Sequence, residues 1–152
     1  NRTIDDVYGD SATGDLPIYG PSLWNIGPPC AGCQLVPDTD KLFMGTWHDN
    51  THLPTVFNNM NITLVGTAIW VYCAVVQGGD ARDAINNTNI EFDLDGNPST
   101  FYDNNPAVSD GAPTFGYNVT VFSMTALMNT QHTLVMTMQP KSWMAFDWAQ
   151  YT

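Results

Sequence analysis

Hydrophobic and polar residues follow one another along most of this chain in short runs that predict β-strands. Residues 90–94 read Ile-Glu-Phe-Asp-Leu, so that apolar and acidic side chains alternate, and Asp95-Gly96 follows as a turn-forming pair. Residues 68–76 are apolar at nearly every position, which is typical of a strand covered on both faces. Runs of these kinds predict strands near residues 2–8, 46–51, 60–65, 67–76, 89–95, 99–103, 115–122, 131–138 and 143–151.

Many short strands without helical periodicity predict an all-β fold. We expect one domain over residues 1–152, an antiparallel β-sandwich or jelly roll with strand 68–76 central and the first and last strands near each other. The segment from residue 9 to residue 45 is rich in Gly-Pro, Pro-Pro and Pro-Asp steps, which predict a long excursion of ordered loops. Loops of that length usually bind a ligand or cover a sheet edge.

The composition agrees with a turn-rich β protein and limits the possible partners. Residues that form turns are abundant, with 14 Asp, 14 Asn, 12 Gly and 10 Pro, whereas Glu occurs once and Lys twice. A net charge of -11 with only 4 Lys and Arg excludes nucleic acid as a partner, because phosphates are bound largely by basic side chains. The longest apolar run, residues 68–76, is too short for a membrane-spanning helix.

Four N-glycosylation sequons indicate an extracellular or cell-surface protein of the secretory pathway. They begin at Asn1, Asn61, Asn86 and Asn118. We expect glycan at some of the last three, whereas Asn1 lies at the terminus. The N-terminus has no apolar signal-peptide core, so we expect a mature or trimmed form of a secreted chain, from which an anchor could also have been removed.

The cysteines permit two interpretations. Cys30-x2-Cys33 followed by His48-x3-His52 has the spacing of a zinc finger, but the histidines lie in a segment that is a poor helix. We therefore favour a disulfide between Cys30 and Cys33, which suits an oxidising compartment. Cys73, in the most apolar run, is then expected to be a buried free thiol.

Two further groups of residues suggest chemistry. Gly9-Asp10-Ser11 resembles the nucleophile block of GDSL esterases, for which the one Asp-x-x-His is Asp49 to His52; a simple turn explains the tripeptide equally, and we predict no enzyme activity. Asp5 and Asp6 near one end of the chain and Asp147 near the other suit a calcium site if the terminal strands are neighbours. The alternative is that these carboxylates accept hydrogen bonds in turns.

Tryptophans at loops indicate a candidate sugar-binding site. Trp24 and Trp143 lie beside turn-forming residues, and Trp47 is followed directly by His48 and Asp49. An aromatic ring can stack on the apolar face of a sugar while carboxylate and imidazole groups bind hydroxyls. The alternative is that Trp47 and His48 pack inward and Asp49 caps a turn.

Over nearly its whole length the chain resembles a large group of cell-surface and secreted proteins of basidiomycete fungi, whose role is mostly unassigned. The residues that carry this resemblance are Thr3-Ile4-Asp5-Asp6, Gly9-Asp10-Ser11, Trp24-Asn25, Cys30-x-x-Cys33, Gly45-Thr46-Trp47-His48-Asp49, Gly66-Thr67-Ala68, Phe92-x-Leu94-Asp95-Gly96, His132-Thr133-Leu134 and Phe146-Asp147-Trp148. The order of these motifs is also similar to the galactose-binding-like jelly roll of many carbohydrate-binding modules.

The resemblance implies an extracellular β-sandwich, and by analogy of fold a non-catalytic, lectin-like module that binds a glycan or a cell-wall polysaccharide. The alternative is a structural surface protein that associates with itself through sheet edges or loops. We expect the glycan site to lie between the excursion of residues 9–45 and the segment Gly45 to Asp49.

Overall fold

The computed structural model of the protein describes residues 1–21, 24–52, 58–82 and 84–152, apart from the side chain of Ser99. These described residues form twelve β-strands and two short 3-10 turns at Thr39–Lys41 and Phe43–Gly45. In chain order the strands are β1 Arg2–Asp5, β2 Gly9–Asp10, β3 Ile18–Gly20, β4 Asn25–Gly27, β5 Trp47–His52, β6 Asn59–Gly66, β7 Ile69–Gly78, β8 Thr88–Leu94, β9 Asn97–Asn104, β10 Thr114–Met124, β11 Thr130–Met138 and β12 Ser142–Tyr151.

The strands form two antiparallel sheets, which confirms the predicted sandwich. The five-stranded sheet has the order β3-β6-β11-β8-β9. The seven-stranded sheet has the order β10-β7-β12-β1-β2, and β12 also pairs with β5, which in turn pairs with β4. No helix among the described residues is long and apolar enough to cross a membrane.

Strand β12, near the C-terminus, pairs with three other strands of the seven-stranded sheet. One of its edges pairs with β7 throughout most of its length. The other edge pairs first with β5, where Ser142 lies opposite His52, and then with β1, where Tyr151 lies opposite Arg2. The terminal strands are therefore neighbours and β7 lies between β10 and β12, as the sequence predicts.

The main core fills the space between the two sheets. The alternation in β8 works as predicted: Ile90, Phe92 and Leu94 are buried, while the acidic residues between them are half-exposed. Burying one large aliphatic or aromatic side chain stabilises the fold by about 1.5–3 kcal/mol. The same core receives side chains from both sheets, including Ile4, Met60, Ile62, Leu64, Val71, Phe122, Leu134, Met136 and Phe146.

A second hydrophobic cluster covers the opposite face of the seven-stranded sheet. This outer core consists of Leu35, Leu42, Trp47, Ala74, Val76, Trp143 and Ala145. Leu35 and Leu42 belong to the excursion of residues 9–45, whereas the other five lie on strands β5, β7 and β12. The excursion therefore covers the sheet, and β7 is apolar on both faces because each face packs against a core.

The excursion is more regular than the sequence indicates. It contains the short strands β2, β3 and β4, which the pattern of side chains does not predict because two or three residues cannot show an alternation. Gly27 of β4 lies directly over Trp47, and a Cβ atom at that position would overlap the indole ring. The absence of a side chain at Gly27 thus allows β4 to pair with β5.

A hydrogen-bonded pair, Asp95 and His132, joins the β8–β9 turn to β11. His132 Nδ1 lies 2.6 Å from Asp95 Oδ2, and His132 Nε2 lies 2.8 Å from the carbonyl oxygen of Met128. Both partners are acceptors, so both ring nitrogens donate only when the imidazole is protonated. The hydrogen bond with Asp95 raises the pKa of His132, and the same bond lowers the pKa of Asp95.

The Asp95–His132 pair predicts a pH-dependent contribution to stability. Because the pKa of His132 is raised in the folded protein, its contribution to stability is complete below the unfolded-state pKa of 6.5. That contribution is lost as the pH rises through the higher pKa of the folded state. The lowered pKa of Asp95 means that its contribution is lost as pH falls below 3.8 toward the folded value. We expect His132→Gln to reduce the free energy of unfolding by about 1 kcal/mol near pH 5 and by less near pH 9. Guanidinium titrations of both proteins at the two pH values measure this difference, and an equal loss at both would contradict the assignment.

Candidate functional site

Strand β5 directs alternate side chains to opposite faces of the seven-stranded sheet. Asp49 lies opposite Asn25 of β4 on one side and Ala145 of β12 on the other, and Thr51 lies opposite Trp143. Because registered neighbours share a face and side chains alternate along a strand, Asp49 and Thr51 are on the face of the outer core. Polar groups thus occur within an otherwise apolar surface.

A cavity of about 320 Å³ opens over these polar groups. Its floor is formed by four residues of the sheet: Asn25, Asp49, Thr51 and Trp143. Its walls are formed by residues 32–35 of the excursion and by residues 84 and 85 of the β7–β8 loop. The volume is at the lower end of the range of about 300–1,000 Å³ that is usual for ligand sites.

The Asp49 carboxylate at the floor is held by three N–H donors. Trp47 Nε1 donates to Oδ1 at 2.9 Å, while Asn25 Nδ2 and Trp143 Nε1 donate to Oδ2 at 3.1 and 3.3 Å. The side chain is almost fully buried, and burial raises its pKa although these hydrogen bonds act in the opposite direction. A carboxylate has about four acceptor positions, and these three donors leave one of them, on Oδ1, without a hydrogen bond.

Cys30 and Cys33 form the predicted disulfide beside this carboxylate. Both sulfur atoms lie 3.9 Å from Asp49 Oδ1. In the described part of the chain, Cys30, Cys33 and Asp49 are the one group of three potential ligands whose atoms all lie within 4.8 Å of one another. Sulfurs joined to each other are not thiolate ligands, and Cys73 is buried as a free thiol, as predicted.

The zinc alternative is not supported, because the histidines point away from the cysteines. His48 Nδ1 lies 2.8 Å from Asp6 Oδ2, and the imidazole stacks on the Tyr19 ring at 4.1 Å. His52 Nδ1 lies 2.9 Å from the carbonyl oxygen of Met138. Both therefore have partners on the face of the sheet opposite to the cavity.

The structure brings together some of the five residues that we expected to bind a glycan. Asp49 and Trp143 line the cavity, and Trp47 lies behind Asp49. The residues Trp47 and Trp143 are only 1% and 2% exposed, so in this structure neither indole ring offers an open face for stacking. Trp24 is half-buried against Tyr19, at 5.0 Å between ring centroids, and with His48 it lies outside the cavity lining.

Sequence reasoning missed the other polar residues of the cavity. Thr51 could have been found, since it is two positions from Asp49 on a predicted strand and must share its face. Asn25 and Gln34 could not, because the pairing of β4 and the path of the excursion depend on contacts between residues distant in the chain. The same holds for Ile85 on the β7–β8 loop.

A second polar cluster lies where β1 meets β12. Asp5, Asp6 and Asp147 are all almost fully buried there. Asp6 is well satisfied, because Thr46 Oγ1 donates to Oδ1 at 2.6 Å and His48 contacts Oδ2. Asp5 Oδ1 accepts the backbone N–H groups of residues 7 and 8, and Asp147 Oδ1 accepts that of residue 43 at 2.9 Å. The three carboxylates predicted as metal ligands are thus neighbours in the fold.

Two oxygens of this cluster lack a hydrogen-bond partner among the described residues, namely Asp5 Oδ2 and Asp147 Oδ2. Burial, together with the charges of Asp6 and Asp5, raises the pKa of Asp147 to about 7 despite its backbone hydrogen bond. Burial also raises the pKa of Asp5. The oxygens of the three carboxylates do not all lie within 4.8 Å of one another, so an ion bound by all three would draw them closer.

The GDSL-like residues do not assemble into a catalytic group. The Ser11 N–H donates to the carbonyl of Thr3, which is opposite Gln150 near the end of β12. His52 is opposite Ser142 at the other end of the same strand. At about 3.3 Å per residue, the two positions are separated by roughly 26 Å along β12.

The four sequon asparagines all lie on the surface to some degree. Asn1 and Asn118 are exposed, whereas Asn61 and Asn86 are half-buried. The side chain of Asn118 accepts a hydrogen bond from Trp148 Nε1 at 2.9 Å. Asn61 lies between the buried residues Met60 and Ile62 of β6 and so points away from the main core, but its Oδ1 is buried without a hydrogen-bond partner among the described residues.

Comparisons with known proteins give similarity of fold alone. No family model matches the chain, and no curated protein sequence matches it. Among solved structures, the CBM36-1 domain of a multidomain xylanase from the hindgut metagenome of Trinervitermes trinervoides has a TM-score of 0.48 and 11% identity, over 98% of this chain and 94% of that one. A family two carbohydrate esterase from Clostridium thermocellum, in complex with cellohexaose, has a TM-score of 0.43 and 13% identity over 70% of this chain. The match spans about a quarter of that enzyme (27%).

Proposed function

We propose that this chain is a non-catalytic extracellular module that binds a neutral glycan in the cavity above Asp49. The observation that carries the proposal is the arrangement of that carboxylate: three N–H donors fix its orientation, and Asp49 lines the cavity. A fixed acceptor binds a sugar hydroxyl with little loss of conformational entropy, since the protein side is already ordered.

The other residues of the cavity suit the same ligand. Asn25 and Thr51 provide amide and hydroxyl groups next to the carboxylate, and Leu35 and Ile85 provide apolar surface opposite them. Sugars present hydroxyls at their edges and C–H groups on their ring faces, so both kinds of surface are used. Among the described residues that line this cavity there is no Lys or Arg, which favours an uncharged ligand over an acidic one.

The extracellular location, the fungal source and a cell-wall polysaccharide as partner belong to the same proposal. Four surface sequons and a disulfide in a loop support a protein of the secretory pathway. The low content of basic residues and the resemblance described above support the fungal source and the cell-wall polysaccharide as partner. We propose glycan attachment at some of Asn61, Asn86 and Asn118; Asn1 is the fourth sequon and lies at the terminus.

Self-association is the second candidate function, favoured by the edges of the five-stranded sheet. Its edge strands β3 and β9 carry Ile18 and Phe101, which are 65% and 62% exposed. Exposed edge strands with apolar side chains can pair with a second copy of a chain. Sedimentation over a range of protein concentrations tests this directly, because a monomer throughout would exclude it.

We also propose that Asp5, Asp6 and Asp147 bind a calcium ion that stabilises the fold. The support is the pair of buried oxygens without partners, one on Asp5 and one on Asp147. Leaving buried carboxylate oxygens unsatisfied is costly, and an oxygen-only set of donors suits calcium. The ion would join β1 to β12, the contact that holds the two ends of the chain together.

The glycan proposal predicts a specific loss of affinity in Thr51→Val. We expect the wild-type protein to bind an oligosaccharide such as cellohexaose or xylohexaose with a Kd of about millimolar scale, measured by calorimetry. Removing the Thr51 hydroxyl should weaken this binding about fivefold, the usual effect of one hydrogen bond. Thr137→Val is the matched control, because Thr137 is also half-buried but lies on the other sheet. Equal binding by both variants would contradict this placement of the site.

The calcium proposal predicts a thermal shift. At a calcium concentration about 100 times the Kd, the midpoint of unfolding should rise by roughly 5–10 °C. Asp147→Asn should abolish the rise while keeping the acceptor oxygen for the backbone N–H of residue 43, and Asp103→Asn, at an exposed site, should retain it. The wild-type protein is first treated with chelator, and calcium is then added back. The proposal would be overturned if the added calcium did not raise the midpoint of the wild-type protein, or if it raised that of Asp147→Asn by the same amount.

A further inference from the structure

A second and larger cavity lies beside the first. Its volume is about 550 Å³, and it is lined by residues 80–82 of the β7–β8 loop, by residues 111–113 of the β9–β10 connection and by Gln34 of the excursion. Two hydrogen bonds join the two loops: the N–H of Asp80 donates to the carbonyl of Gly111 at 2.7 Å, and the N–H of Gly79 donates to Ser109 Oγ at 3.0 Å. The two loops thus form one wall with a defined shape.

The two cavities are adjacent. Gln34 lines both of them. The β7–β8 loop also lines both, through residues 80–82 in the second cavity and residues 84 and 85 in the first. Both cavities are partly open to solvent and meet at Gln34, so one ligand can occupy them together as a groove with Asp49 near one end. A groove of this form suits an extended ligand better than a single compact ring.

We propose that this groove binds a linear oligosaccharide as a chain of several units, with one unit over Asp49 and the following units past Gln34 in the second cavity. The proposal rests on the proposed glycan-binding function and specifies its ligand class. Gln34 is exposed, and its amide offers both donors and an acceptor, so it can bind the hydroxyl or ring oxygens of units on either side of the junction.

Chain length should therefore control affinity. Once one unit of a linear ligand occupies the first cavity, the next units meet the second cavity without a further loss of translational and rotational freedom. A disaccharide fills mainly the first cavity, whereas a hexasaccharide reaches both. We expect the hexasaccharide to bind at least about tenfold more tightly than the disaccharide of the same series.

The test combines ligand length with a variant that fills the second cavity. Ala112 is exposed and lines that cavity, so Ala112→Trp should block it without disturbing a core. Val108→Trp is the matched control, because Val108 is on the same connection and highly exposed but lines neither cavity. Calorimetry is done with two- and six-unit members of the cello-, xylo- and β-1,3-gluco-oligosaccharide series, after circular dichroism has shown that both variants are folded.

We expect Ala112→Trp to reduce the affinity for the six-unit ligand about tenfold and to leave the two-unit affinity unchanged, and Val108→Trp to change neither. Equal binding of both lengths by the wild-type protein, or tight binding of the six-unit ligand by Ala112→Trp, would overturn the chain-binding proposal alone. If no series bound, or if Thr51→Val left all binding intact, the glycan site itself would be wrong and this inference would fail with it.

Discussion

The buried carboxylate of Asp49 is the constraint on which the outer face of the seven-stranded sheet depends. A charge removed from water costs several kcal/mol unless donors replace the lost solvent. Here the donors are the indoles of Trp47 and Trp143 and the amide of Asn25, which lie on β5, β12 and β4. One side chain therefore connects three strands, and it sets the positions of two tryptophans whose rings form much of the outer core.

The long excursion is arranged around the same group. Leu35 and Leu42 belong to the same hydrophobic cluster as the two tryptophans, and the Cys30–Cys33 disulfide lies beside the Asp49 carboxylate. Gly27 allows β4 to approach Trp47 closely. Because the excursion covers the sheet incompletely, an opening remains over Asn25, Asp49 and Thr51. The cavity is thus a consequence of how a polar group is accommodated within an apolar face.

Local pattern was sufficient to predict the long strands and not the short ones. The alternation around Phe92 predicted β8 at residues 89–95, and the structure has it at Thr88–Leu94. The uniform apolar run predicted β7 as a central strand, and the adjacency of the chain ends placed Asp5 near Asp147. Strands β2 to β4 were not predictable, because their pairing is formed by backbone groups and by residues distant in the chain.

The candidate site, like the strands, could be predicted from the sequence only in part. Asp49 was predicted as a ligand-binding group, but the sequence cannot tell which face of β5 points to which core, and so it could not separate Asp49 from His48. Period-two alternation puts them on opposite faces. His48 contacts Asp6, 42 residues away in the chain, and Asp49 contacts Trp143, 94 residues away. These long-range pairs decide which chemical groups lie on each face of β5.

The most direct test of the role of Asp49 is the hydrogen exchange of the tryptophan indole N–H groups, followed by NMR on 15N-labelled protein. Trp148 provides an internal comparison, because its indole donates to Asn118 at the surface. We expect the indole protons of Trp47 and Trp143 to exchange far more slowly than that of Trp148, and both resonances to shift in Asp49→Asn. Exchange of Trp47 and Trp143 at the rate of Trp148, with no shift in the variant, would contradict the account.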